Sequence, residues 1–261
     1  MFPHTRDGLF NFLDFETISS CNRTCRTCIR NSHPDRGAAR PWFEEHYLSE
    51  DLIYEAIEQA TAIGFRGGVC LSHYNEPTMD ERLPEIARRV RAYPELGRVF
   101  FNTNGDFMTE EMAAELDGVL DRIIVTLYMK DPKKSERAEW MRSLFKTTRL
   151  DLITEPHHTP THFTPAYDLP VLIEKAQGMN CAQPQVRVII NHRRDYLLCC
   201  DDVIGNFDLD KFPDVGIEEH WFGKHKTLAD TLARPGGRAD LPYCMTCPRG
   251  AAWTVNEVDV F

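Results

Sequence analysis

Apolar and polar positions along the chain alternate between short apolar runs and longer amphipathic stretches. The runs at 10–16 (FNFLDFE), 67–72 (GGVCLS), 98–104 (RVFFNTN), 122–128 (RIIVTLY), 149–155 (RLDLITE) and 185–191 (QVRVIIN) have the length and aliphatic or aromatic content of strands. The stretch 48–64 repeats at helical spacing: Leu52, Ile53, Ala56, Ile57, Ala60 and Ile63 share one face. Ser49 stands where a cap is needed and Gly64 where the helix should stop. Further helices are expected at 81–93, at 109–119 with Thr109 as cap, at 133–145 and at 168–178.

Strands that alternate with helices imply right-handed crossovers and a parallel sheet, so the fold class is α/β, an open or closed barrel. In such barrels the functional groups sit on loops after the C-terminal ends of strands. The segments 19–31, 73–77 (HYNEP), 102–105 (NTNG) and 126–130 (TLYMK) all follow expected strands and should converge on one face. A polar loop at 156–165 holds His157, His158 and His162 without regular ligand spacing, so it reads as a solvated loop at the end of the fifth strand. After about residue 180 the alternation stops and five more cysteines appear. The chain is therefore divided at 1–179, the barrel, and 180–261, a small second domain.

Composition narrows the function. The 261 residues are 42% hydrophobic, enough for a sizeable core. A balance of 30 basic against 40 acidic residues, net −10, argues against nucleic acid as a partner. No run of eighteen apolar residues exists and the N-terminus has no basic segment followed by an apolar one. A cytoplasmic protein with no membrane association is expected. Nine cysteines in that setting point to metal ligation rather than a disulfide framework.

The segment SSCNRTCRTCIRN (19–31) places Cys21, Cys25 and Cys28 in the spacing C-x3-C-x2-C. A structural zinc site wants four ligands and a disulfide two, so a centre held by three thiolates keeps a position open. Downstream, Cys181, Cys199 and the CxxC pair Cys244 and Cys247 form a second set. Spacing alone leaves zinc and iron–sulfur both open for it. Cys199 and Cys200 are adjacent; on an extended strand they point to opposite faces, so one of them is a ligand and the other is not. Cys70 reads as a small buried hydrophobe.

A C-x3-C-x2-C loop after the first strand of an α/β barrel resembles the radical S-adenosylmethionine superfamily. The resemblance implies a partial (β/α)6 barrel in which Cys21, Cys25 and Cys28 hold a [4Fe–4S] cluster whose open iron chelates S-adenosylmethionine. Reductive cleavage then gives a 5′-deoxyadenosyl radical. The segment GGVCLSHYNEP resembles the part that binds the methionine amino group, with Asn75 and Glu76 as the implied contacts. NTNG and VTLY resemble the third- and fourth-strand segments, which implies Asn104, Thr126 and Tyr128 as partners of the cofactor's ribose or carboxylate. Where the family often has an aromatic residue before the last cysteine, this chain has Thr27, so another group must cover the adenine.

The region after residue 180 resembles the family's twitch and SPASM domains. By that resemblance Cys181, Cys199, Cys244 and Cys247 hold one auxiliary [4Fe–4S] cluster, because five cysteines are too few for two. Cys200 then becomes a candidate hydrogen donor, and Glu155, at the end of the fifth strand, a candidate base or substrate contact. With a first strand near residue 10, the layout leaves no room for an N-terminal peptide-recognition domain. It resembles the cyclitol dehydrogenase of aminoglycoside biosynthesis. The implied activity is oxidation of a small polar intermediate with the auxiliary cluster as electron acceptor and a flavodoxin or ferredoxin as reductant. The alternatives are maturation of a ribosomally made peptide and a non-catalytic electron-transfer or metal-binding role.

Overall fold

The computed structural model describes residues 5–25, 28, 46–128, 132–154, 178–203, 205–245 and 247. Among them seven strands make one sheet: β1 (Phe12–Phe15), β2 (Gly68–Cys70), β3 (Arg98–Thr103), β4 (Arg122–Thr126), β5 (Arg149–Ile153), β6 (Arg187–Ile190) and β7 (Tyr196–Leu197). The six expected strands are all present, each shortened by one or two residues at an end. Helices α1 (Glu50–Ala62), α2 (Leu83–Arg91), α3 (Glu110–Leu116) and α4 (Lys133–Leu144) follow β1 to β4 in turn. Thr109 caps α3 by accepting from the Met112 N–H. Ser49 occupies the N-cap of α1 with extended dihedrals but makes no side-chain cap bond. The expected helix at 168–178, apart from Gly178, lies outside the described residues, as do the loop 156–165, Glu155 and Thr27.

The strand order is β5-β4-β3-β2-β1-β6-β7, parallel through β6, with β7 antiparallel at the edge. The sixth strand thus extends the sheet beside β1, on the side away from β5, with β7 beyond it. All four residues of β1 are buried, and β6 satisfies the backbone groups that an edge position would leave open. The sheet therefore runs on into residues beyond 180.

Strand alternation gives the sheet two faces. Leu13, Phe15, Val69, Val99, Phe101, Ile123, Val125, Val188 and Ile190 pack with Ile53 and Ile57 of α1, Ile86 of α2, Leu116 of α3 and Met141 of α4. The other face carries a smaller cluster of Phe12, Cys70, Phe100, Ile124 and Val186, with Ile153 against it. Two residues on from those positions the same face becomes polar, with Asp14, Ser72, Asn102 and Thr126. An apolar floor with polar groups toward the C-terminal strand ends is what a ligand site on this face requires.

Beyond β7 the chain forms more helix than the sequence pattern suggested. Helix α5 (Ile217–His220) passes through a wide turn, kinked at Gly223, into α6 (Lys226–Ala233), and α7 spans Pro242–Met245. Trp221 packs edge-on against Phe10 and donates its indole N–H to the Gly8 carbonyl at 2.8 Å. His220 stacks on Tyr196 of β7 at 3.6 Å.

Candidate active site

The cysteine loop leaves β1 and is fixed by backbone bonds: Leu48 N to Thr17 O, Ser19 N to His46 O, and Glu76 N to Ser20 O. Cys21, Cys25 and Cys28 are half-buried, and the Cys28 N–H donates to the Cys25 carbonyl at 3.1 Å. Between the thiols, Arg23 makes a two-pronged contact with Asp106, at 2.7 and 2.6 Å, and Asn22 donates to the same carboxylate at 2.7 Å. Asn104 donates to Asn22 at 2.8 Å. Gly105 turns with φ +73°, and a Cβ there would meet Val125 at 2.9 Å, so glycine is needed to swing Asp106 back to Arg23. Arg137 of α4 holds the carbonyls of Gly105 and Met108. The loop after β3 thus pins the cysteine loop.

Tyr128 lies under the Arg23 guanidinium, 5.4 Å from the ring centre. Burial raises its phenol, as do the neighbouring Cys25 and Cys28, while a bond from Thr126 lowers it. Tyr128 therefore stands near the thiols, with Thr126 bonded to it. Asn104 is buried and is used inside the protein through Asn22 and through Asp106, whose N–H it accepts at 2.9 Å.

Glu76 ties the loops after β2 and β3 together. Its carboxylate is 1% exposed and accepts from Thr78 N, Thr78 Oγ1, Thr103 Oγ1 and Asn104 N. Three of these bonds fall on Oε1 and one on Oε2, so the side chain knits the β2 and β3 loops and keeps an acceptor position on Oε2. Asn75 accepts from His73 N at 2.8 Å, and its Nδ2 is buried with no partner, which leaves both amide N–H groups available to a carboxylate or hydroxyl of a bound ligand.

The second cysteine set gathers around the end of β7. The Cys181 N–H donates to the Leu232 carbonyl of α6, and the Cys247 N–H to the Cys244 carbonyl. Asp202 accepts from Leu198 N and Asn206 N and so folds the turn that carries Cys199 and Cys200. Burial pushes the Cys199 thiol well up, followed by the fields of Cys200, Asp201, Asp202 and Cys181. Burial, then Cys181 and Cys247, push Cys244 up to about 12. These shared fields place Cys181, Cys199, Cys244 and Cys247 in one neighbourhood, where thiolates need a cationic centre to exist. Among the described residues no three His, Cys, Asp or Glu side chains stand close enough to hold one metal ion. A four-iron cluster sets its thiolates wider apart than a single ion does, and the donor chemistry of both sets fits one. Cys200 turns toward the sheet: its Sγ lies 3.9 Å from Gln183 Oε1 and its field reaches Arg187. Tyr74 and Tyr243 both donate to Asp201, to its carboxylate and its carbonyl, linking the β2 loop to this region. Cys70 is buried against Ser72, with its thiol pushed up to about 12 by burial.

The polar face of the sheet holds groups the sequence reading passed over. Asp14 is 2% exposed and accepts from Arg187 Nη1 at 2.6 Å across β1 and β6. Glu16 and His192 are buried together, 2.6 Å apart, with His192 stacked on His46. The signal lay in FNFLDFE: carboxylates two apart inside a strand buried on both faces are out of place in a purely structural strand.

The family model described as Radical SAM superfamily matches residues 15–149. The S-adenosyl-L-methionine-dependent 2-deoxy-scyllo-inosamine dehydrogenase of Niallia circulans is 22% identical over 254 residues, spanning 97% of this chain and 98% of that protein. A crystal structure of BtrN in complex with AdoMet and 2-DOIA shares the fold with a TM-score of 0.74 at 21% identity, covering 95% of this chain and 97% of that one. Native anSMEcpe with bound AdoMet is more distant, with a TM-score of 0.54 at 14% identity, covering 91% and 88%. No helix among the described residues is long and apolar enough to cross a membrane.

Proposed function

The chain belongs to the Radical SAM superfamily, and from that premise we propose that it oxidises a secondary alcohol of a small hydroxylated substrate, of the aminocyclitol class. The observation that carries this reading is the end-to-end correspondence with the 2-deoxy-scyllo-inosamine dehydrogenase, which extends past the family model into the second cysteine set. Family membership implies a [4Fe–4S] cluster and S-adenosylmethionine, which together supply a carbon radical able to take a hydrogen atom. Cys21, Cys25 and Cys28 would hold that cluster. Cys181, Cys199, Cys244 and Cys247 would hold an auxiliary one able to accept the second electron.

The protein's own groups do the rest. Asn22, Arg23 and Asp106 fix the cysteine loop against the β3 loop, and Glu76 locks the β2 loop to the same place. Tyr128, bonded to Thr126, borders the thiols, and the Asn75 amide offers a donor. The apolar floor of Phe12, Phe100 and Ile124 would exclude water from the face of the sheet on which the substrate is proposed to lie. Glu155 and Cys200 remain candidates for proton and hydrogen transfer, and a flavodoxin or ferredoxin for the reductant.

The test is anaerobic reconstitution followed by incubation with S-adenosylmethionine, dithionite and 2-deoxy-scyllo-inosamine. One 5′-deoxyadenosine per product and a loss of two mass units are expected. An unchanged mass with deuterium taken from solvent would replace the reading with epimerisation. Turnover of peptides alone would replace it with peptide maturation. Absence of 5′-deoxyadenosine under all conditions would remove catalysis altogether.

A further inference from the structure

The ion pair of Asp14 and Arg187 lies on the sheet face that carries Phe12, Phe100 and Ile124, where β1 and β6 run side by side. It is incompletely satisfied. Asp14 Oδ1 and Arg187 Nε are buried with no hydrogen-bond partner, and so is His73 Nε2 from the loop after β2. The fields of Glu16, Asp14, Arg187 and Asp201 all reach His73, so the three residues share one neighbourhood despite coming from three segments. The Arg187 side chain keeps 17% of its surface exposed.

Structure alone does not account for this arrangement. A buried pair in a sheet is no more stabilising than apolar residues of the same volume, and each orphaned atom adds a desolvation cost that no hydrogen bond within the protein offsets. Its chemistry is that of a receptor. Asp14 Oδ1 accepts, Arg187 Nε donates, and the His73 nitrogen does either. A hydroxyl is both donor and acceptor, and two on adjacent carbons present that mixture within the span of one side-chain pair. Beside the charged groups lies the apolar floor: the Arg187 guanidinium sits 5.7 Å from the Phe12 ring centre, and Phe12 meets Phe100 edge-on at 6.0 Å. Saturated rings with equatorial hydroxyls have this dual character, with C–H faces and polar edges.

We propose that Asp14, Arg187 and His73 form the subsite that receives two neighbouring hydroxyls of the substrate, so that the ligand is a saturated ring bearing a vicinal diol. The assignment rests on the reading that the chain acts on a small hydroxylated molecule. It makes the three residues determinants of specificity.

The test is calorimetric titration of the reconstituted protein, with S-adenosylmethionine present, using 2-deoxy-scyllo-inosamine, scyllo-inositol and, as a monohydroxy control, cyclohexanol. The polyols should bind at least tenfold more tightly than cyclohexanol. Asp14→Asn and Arg187→Lys should each weaken polyol binding tenfold or more and cyclohexanol binding less than twofold. Because that selectivity ratio is taken within one protein sample, partial unfolding does not imitate it. His73→Asn, on a loop, provides the same readout if the sheet variants fail to fold. Equal loss for all ligands, equal affinity of polyol and cyclohexanol in the unaltered protein, or no polyol binding would each overturn the subsite. If 5′-deoxyadenosine still forms in those cases, the radical chemistry stands without it; if it does not form, both readings fall together.

Discussion

At the scale of single residues, Glu76 carries the sharpest consequence. Its carboxylate receives two hydroxyls and two backbone N–H groups. Glu76→Gln turns one acceptor into a donor. The threonine hydroxyls can rotate to suit it, but the N–H groups of Thr78 and Asn104 cannot, so at least one buried donor is opposed. A loss of about 1–3 kcal/mol is expected in denaturant unfolding of the metal-free protein. An unchanged midpoint would mean that Glu76 has no structural duty. Asp106 makes a parallel case. Burial alone would raise it, but the bonds from Arg23 and Asn22 outweigh burial and hold it below the usual carboxylate range. Its contribution is therefore present above the ordinary aspartate pKa and is lost as pH falls through the lower folded value. Asp106→Ala should release the cysteine loop, cost about 1–2 kcal/mol, and lower iron and sulfide bound per chain after reconstitution. The cysteines themselves were legible from spacing. The pin was not, because Arg23 and Asp106 are 83 residues apart and nothing in the sequence marks one as the partner of the other.

At the scale of elements, the helices beyond β7 hold two histidines in neutral form. Burial lowers His220 to about 2 and His225 to about 4. His220 stacks on Tyr196, and His225 contacts the Pro184 carbonyl at 2.6 Å. Both folded values lie below the ordinary 6.5, so the unfolded chain binds protons that the folded chain refuses. Stability is then full above 6.5 and falls as pH drops below it, by up to about 1.4 kcal/mol per pH unit for each histidine. Unfolding measured between pH 7 and 5 should show this slope, and His220→Phe should reduce it by about one proton; an unaltered slope would contradict the burial argument. Elements of this kind divide cleanly into legible and illegible. The strands at 98–103 and 122–126 show in the sequence because apolar runs bounded by polar turns leave few alternatives. Helices α5 and α6 were hidden because the kink at Gly223 breaks their period. The place of β6 was hidden because strand order is a matter of distant pairing, which no local pattern encodes.

At the scale of the whole molecule, the position of β6 decides where the protein can be divided. A boundary at 179/180 treats the second cysteine region as an appendage, yet β6 and β7 complete the sheet on the β1 side. Removing them would uncover the backbone of β1 from Phe12 to Phe15 and leave Asp14 buried without Arg187. Breaking a buried pair by deleting one partner costs about 3–5 kcal/mol, a large part of the stability of an ordinary domain, before the lost apolar contacts of Val188 and Ile190 are considered. A chain of residues 1–179 should therefore fail to unfold cooperatively and should associate through its exposed strand edge. Extension to residue 198 restores β6 and β7 and should recover part of the transition. Size-exclusion chromatography and thermal unfolding of both pieces decide the matter. A monomeric 1–179 fragment with the midpoint of the full chain would show the first 179 residues to be self-sufficient. The opposite result would make the loops that carry the two cysteine sets parts of one folding unit built on a single sheet.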